Sequence, residues 1–117
     1  MREEDILELI DREGDEVKVA LLPAIQYYTG QLLDIKKLTK ACQDKGIIVG
    51  VDLAHAVGNV PIYLSEWNVD FAAWCTYKYL NSGAGGIGGI FVNEKFTEKG
   101  GCETFPMLQG WWGNNLK

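Results

Sequence analysis

The sequence predicts an α/β fold, a mostly parallel sheet with one antiparallel strand and flanking helices. Three observations lead there. Short apolar runs recur at Val17–Leu22, Ile47–Leu53 and Asp70–Thr76, each too short to be a helix. The stretches between them are long enough to carry a helix or a crossover to a parallel neighbour. A fourth run, Ile90-Phe91-Val92, resumes after only a glycine-rich turn, which favours antiparallel pairing with the third.

The elements follow in order. Glu3 to Glu13 carries Ile6, Leu7, Leu9 and Ile10 among acids and stops at Gly14, so it reads as an amphipathic helix closed by a C′ glycine. Val17–Leu22 is partly β-branched and ends at Pro23, which suits a strand buried in a parallel sheet better than an alternating edge strand. A loop, Ala24–Leu33, holds Tyr27-Tyr28-Thr29-Gly30-Gln31. Asp34 is a good N-cap for a helix of about three turns, with Ile35, Leu38, Ala41 and Cys42 on one face and Gly46 at its close. Ile47–Leu53 is apolar until Asp52, which places an acid at the carboxyl end of a buried strand. Ala54–Asn68 predicts a turn, a break at Pro61 and a short helix around Ser65–Asn68. Asp70–Thr76 is the third strand; beyond Asn93 the chain turns polar and carries no predicted element up to Gly110-Trp111-Trp112-Gly113.

Composition narrows the function classes. With 117 residues the chain can build one core, not two. Its net charge of −5, from 11 Lys+Arg against 16 Asp+Glu, and the lack of any basic run argue against nucleic acid and anionic membrane as partners. Cys42, Cys75 and Cys102 form neither a CxxC pair nor a disulfide framework, and an odd count suits a reducing compartment, so a cytoplasmic location is expected. The acidic start, Met1-Arg2-Glu3-Glu4-Asp5, is unlike a secretory or transit peptide, and no apolar run is long enough to span a bilayer.

Chemistry gathers where an open α/β sheet binds its ligands, at the carboxyl ends of the strands: Asp52 and His55 after the second, Tyr77 and Lys78 after the third. Neighbouring strands lie about 4.8 Å apart, so groups on their tips can flank an object the width of an aromatic ring. A buried acid and a buried lysine so placed suit pyridoxal phosphate: the lysine bonds the aldehyde, and the acid keeps the pyridine nitrogen protonated. The lysine must be neutral to react, and desolvation beside another cation favours that form. The same residues also have a plainer reading, a solvated strand-end acid and a surface lysine.

Other motifs weigh less. Gly83-Ala84-Gly85-Gly86-Ile87-Gly88 matches GxGxxG in form, but a strand follows it where a dinucleotide fingerprint must open a helix. These glycines read as a tight hairpin, either passing close to a ligand or partner chain or purely steric. His55 is the sole histidine and has no further ligands at useful spacing, so no metal site is expected. Trp111 and Trp112 suit a partial core or an interface.

Taken together, Asp52-Leu53-Ala54-His55-Ala56-Val57-Gly58-Asn59, Asp70-Phe71, Trp74-Cys75-Thr76-Tyr77-Lys78-Tyr79-Leu80-Asn81 and Gly83-Ala84-Gly85-Gly86 strongly resemble the kynureninase family, pyridoxal-phosphate hydrolases of the fold-type-I aminotransferase superfamily. The resemblance runs from the first residues to about Trp111–Gly113. It implies Lys78 as the lysine bonded to the cofactor, Asp52 as the pyridinium partner and His55 as a cofactor contact. It implies Tyr77 as a contact to the cofactor phosphate and a proton donor, and Trp111 as a residue reaching that phosphate across a homodimer interface. Tyr28-Thr29-Gly30-Gln31 matches a family segment near the site. Two positions depart from the pattern: Pro23 stands where relatives carry a cofactor-binding serine, and Asn114 where close relatives carry a histidine.

The implied reaction is cleavage of the Cβ–Cγ bond of L-kynurenine or 3-hydroxykynurenine to L-alanine and an anthranilate, in tryptophan catabolism and NAD biosynthesis. Kynureninases are several times longer, so residues 1–117 are expected to be the central portion of a large domain, with the amino-terminal part and carboxyl-terminal small domain missing and no turnover alone. The rival enzyme is a cysteine desulfurase or another class V relative, which typically carries Gln near His55 and His near Tyr77. The rival without catalysis is a truncated product acting as a dimerisation partner.

Overall fold

The structure, a computed structural model, describes residues 1–97. Cys102, Trp111, Trp112 and Asn114 lie outside the described residues. The parallel sheet with one reversed strand is present. Strands β1 (Val19–Pro23), β2 (Ile48–Asp52), β3 (Phe71–Cys75) and β4 (Gly88–Val92) lie side by side in chain order. β1 and β3 run parallel to β2, and β4 runs antiparallel to β3.

Two helices cover one face. Helix α1 (Glu3–Glu13) opens with Glu3, Glu4 and Asp5, where the positive end of the helix dipole favours acids. Its Ile6, Leu7 and Ile10 pack against the core. Helix α2 (Ile35–Asp44) is capped by Asp34, whose carboxylate accepts from Lys37 N at 3.0 Å, and it buries Ile35, Leu38, Thr39 and Cys42. The two helix starts are tied where Asp34 N donates to Glu3 Oε1 at 2.7 Å. Leu38, Val49, Val51, Leu53 and Val69 form the centre of the core, between α2, the sheet and the crossover after β2.

Several expectations change. Gly14 is not a left-handed C′ residue: its φ of −57° continues into a 3₁₀ turn, Gly14–Glu16. Glycine fits there because a Cβ would stand 2.9 Å from Lys45 Cγ, so the absent side chain lets the ends of α1 and α2 meet. β1 is not a fully buried strand. It is the outer strand of the described sheet, and Val19 and Leu21 on its open side are 52% and 65% exposed. Pro23 falls inside β1, at the last position, where the outer edge of the sheet tolerates a residue with no N–H. Ser65–Asn68 forms hydrogen-bonded turns rather than a helix, with Trp67 N bonded to Tyr63 O and Val69 N to Leu64 O, and Asn68 at φ 57° ends the run.

The connection between β3 and β4 is not a tight turn. It runs from Thr76 to Ile87 and is closed at its base by Thr76 N donating to Ile87 O at 3.0 Å. Thr76 Oγ1 and Ser82 Oγ, 2.9 Å apart, brace it from within. Gly88 and Gly89 lie in β4 instead; a side chain on Gly89 would collide with the Trp74 indole, so this part of the glycine run is steric.

Register sorts the sheet into two faces. Ala20, Leu22, Val49, Val51, Ala72, Trp74 and Phe91 face the helices and the crossover. The opposite face presents Val19, Leu21, Phe71, Ala73, Ile90, Val92 and, at the tip of β2, Asp52; Ile90 is 70% exposed. Among the described residues nothing covers this apolar face.

Burial also separates the cysteines. Cys42 is enclosed in the core, which pushes its thiol above the ordinary cysteine range, whereas Cys75 is half-buried; both are free. A thiol reacts as its thiolate, so iodoacetamide should label Cys75 well ahead of Cys42 in the native chain, and unfolding should erase the difference. Equal rates of labelling in the folded chain, read by peptide mass spectrometry, would contradict this burial.

Candidate active site at the carboxyl ends of β2 and β3

Asp52 closes β2, in register with Pro23 of β1 and Ala73 of β3. Its Oδ1 accepts from Ala54 N at 2.8 Å, an Asx-type turn that starts the crossover and fixes the carboxylate at the strand tip. The chain then coils tightly: Ala56 N and Val57 N both donate to Leu53 O, and Val60 N donates to Ala56 O. His55 rides on this coil, and Asn59 Nδ2 bonds its carbonyl at 3.1 Å.

The second half of the site comes from the β3–β4 connection. Inside the base set by Thr76 and Ile87, Asn81 N donates to Lys78 O at 3.1 Å, which makes a compact turn of Lys78–Asn81. This turn sends the lysine back toward β2. Lys78 Nζ lies 3.0 Å from His55 Nε2, a part-buried contact between residues 23 positions apart. A lysine ammonium only donates, so the imidazole nitrogen is the acceptor when the amine is charged. Lys78 Nζ also sits 5.7 Å from the centroid of the Tyr77 ring, and the rings of His55 and Tyr79 meet edge to face at 6.2 Å.

Asp52, His55, Tyr77 and Lys78 therefore all stand at one end of the sheet, on two adjacent strand tips and the turns that follow them. The expectation of a buried acid and a buried lysine is corrected. Asp52, on the uncovered face of the sheet, is exposed, and Lys78 is half-buried. Tyr77 is 53% exposed. Trp111 lies outside the described residues. The Tyr28-Thr29-Gly30-Gln31 loop follows β1 at the same sheet end and is held by Gln26 Oε1, which accepts from Tyr28 N and Thr29 N, both at 2.7 Å.

A shallow concavity of about 440 Å³ opens beside the carboxylate, lined by Leu21, Asp52, Ala54, Phe71, Ala73 and Cys75. Its walls are mostly apolar with one acid at the rim, a suitable match to a flat heteroaromatic ring with a protonated nitrogen. An amine for an aldehyde, a carboxylate for a pyridinium and an apolar wall are thus all present. Lys78 and His55 stand outside the lining of this concavity. Residue patterns alone did not reveal the Lys78–His55 contact or the packing of Tyr79 on His55. The two turns approach each other only after the chain has crossed over, and no short-range spacing encodes that approach.

A family model described as Aminotransferase class-V matches residues 1–106. The chain belongs to the class V aminotransferase family. Pyridoxal 5′-phosphate is the cofactor of class V aminotransferases, in agreement with the acid and lysine read from the strand tips. Within this family the chain is 57% identical to a kynureninase of Lodderomyces elongisporus, over 98% of this chain and 26% of that protein. It is 54% identical to a kynureninase of Dictyostelium discoideum, over 99% of this chain and 26% of that protein. The chain thus spans about a quarter of the length of the curated relatives it matches. The class V fold itself is seen in the ureidoglycine-glyoxylate aminotransferase of Bacillus subtilis, with a TM-score of 0.71 and 24% identity over 91% of this chain and 27% of that one. No helix among the described residues is long and apolar enough to cross a membrane.

Proposed function

We propose that residues 1–117 are the central, cofactor-bearing portion of a kynureninase that hydrolyses L-kynurenine or 3-hydroxykynurenine to L-alanine and an anthranilate, as a cytoplasmic homodimer. The single observation that carries this reading is the contact of Lys78 Nζ with His55 at the end of the sheet where Asp52 closes β2, in a chain more than half identical to kynureninases over almost all its length.

Pyridoxal phosphate supplies, when bound, an electron sink for a carbanion at the substrate α-carbon. The chain's own groups divide the remaining work. Lys78 would hold the cofactor through Nζ and would move the proton at substrate Cα. Asp52, fixed by its bond from Ala54 N, keeps positive charge on the ring nitrogen. His55 accepts from Lys78 Nζ and orients the amine. Tyr77, exposed beside Lys78, would meet the phosphate and deliver a proton at substrate Cβ. Trp111, which lies outside the described residues, would by the resemblance to kynureninases be a further contact for the cofactor phosphate. Pro23, in register with Asp52, offers no hydroxyl, so the bond a serine would give the cofactor at this position is lost.

The test uses a chimera in which residues 1–117 replace the matching stretch of the Lodderomyces elongisporus kynureninase. Release of anthranilate and alanine from kynurenine is the expected result. A chimera that assembles as the parent does but leaves kynurenine intact, or that instead liberates sulfur from cysteine, would overturn the assignment.

A further inference from the structure

The contact between His55 and Lys78 needs two turns from different connections of the sheet to hold a fixed distance, although a lysine carries a flexible four-carbon stem. The structure shows what joins them. Gly58 has φ +78°, and a Cβ built on it would stand 3.0 Å from Tyr79 O and 3.1 Å from Leu80 Cδ2. The backbone of the His55 turn therefore rests directly on the backbone of the Lys78 turn, at a point where a side chain would hold them apart. The left-handed φ strains any L side chain as well, so the position favours glycine on both counts.

On the other side of this junction the Tyr79 ring meets His55 edge to face, with ring centroids 6.2 Å apart and planes at 67°. The Asn59 side chain bonds the His55 carbonyl. The imidazole is thus held from its backbone by Asn59 and from its ring by Tyr79. We propose that Gly58 and Tyr79 are positioning residues that interlock the two turns and thereby aim His55 Nε2 at the Lys78 amine. Neither side chain touches the reacting atoms; each acts through His55. The importance of the interlock for catalysis rests on the function proposed above, whereas its existence does not.

The chain's sole histidine makes the test direct, because every imidazole signal belongs to His55. In the full chain, kept dilute and free of cofactor, Lys78→Met removes the partner of Nε2 and should displace the His55 ring nitrogen and Hε1 resonances. The same Lys78→Met change is then made in Gly58→Ala, Tyr79→Ala and Tyr79→Phe backgrounds, with the backbone amide spectrum monitoring the fold. The displacement should be largely lost in the first two and retained in Tyr79→Phe, which keeps the ring. Tyr79 is 47% exposed, so its truncation leaves the core intact even if Gly58→Ala fails to fold. A displacement of the same size in the Tyr79→Ala and wild-type backgrounds overturns the proposal. A separate arm treats the chain with pyridoxal phosphate and borohydride and locates the added mass. Absence of label on Lys78 beside an intact interlock counts against the proposed function and leaves the positioning role standing.

Discussion

In the kynureninase chimera, Lys78→Ala should leave no mass added by pyridoxal phosphate and borohydride, and kynurenine turnover should fall by at least about a thousandfold, within the range expected for loss of a general acid–base group. The expectation comes from geometry. Lys78 Nζ is the amine brought to His55 at the sheet end that also carries Asp52, and under the proposed function alanine would remove both the covalent attachment and the proton carrier. Arginine at the same place retains charge and bulk but cannot form the bond, so Lys78→Arg should lose the label too. Label retained on another lysine, together with wild-type turnover, would transfer the role elsewhere.

Asp70→Ala should produce the largest loss of stability of any single substitution considered. Asp70 immediately precedes β3 and is 2% exposed. Its Oδ2 accepts from Val49 N at 2.7 Å and from Gln43 Nε2 at 3.1 Å, and its Oδ1 pairs with Lys95. One side chain thus joins β2, α2 and the segment after β4. Removing it strands a buried backbone donor and unpairs the exposed Lys95, at a cost of about 1–3 kcal/mol. Against a total stability of about 5–15 kcal/mol that is a large fraction, and it should appear as a clear drop in the urea midpoint. Asp70→Asn keeps an acceptor for Val49 N and should recover part of the loss. An unchanged midpoint for Asp70→Ala would show that the network carries no net stability.

The sequence made legible those features that depend on neighbours along the chain. The stripe of Ile35, Leu38 and Cys42 with a capping Asp34 specified α2 almost to the residue. The apolar runs located all four strands to within a few residues, and the shortness of the last interval gave β4 its direction. The acid, histidine, tyrosine and lysine were visible because each follows a recognisable strand. Features that depend on long-range contact were not legible. Gly14 does stand at the end of α1 as read, yet the reason for a glycine there is set by Lys45, just past the end of α2. The interval after β3 resembled a tight turn because the pairing of Thr76 with Ile87 leaves no local mark. Asp70 read as the first residue of a strand, and only the folded chain shows it accepting from β2 and α2 together.

The bare face of the sheet bears on the chemistry as well as on the fold. Asp52 lies on that face and is exposed. Any layer of polypeptide laid over Leu21, Ala73 and Ile90 would strip solvent from the acid at the same moment, and a charge in a drier medium acts more strongly on a neighbouring cation. Covering this face and tuning the anion would therefore be one event, and under the proposed function a tighter cover should strengthen the attraction of Asp52 for a cationic ring without any change in the residue itself.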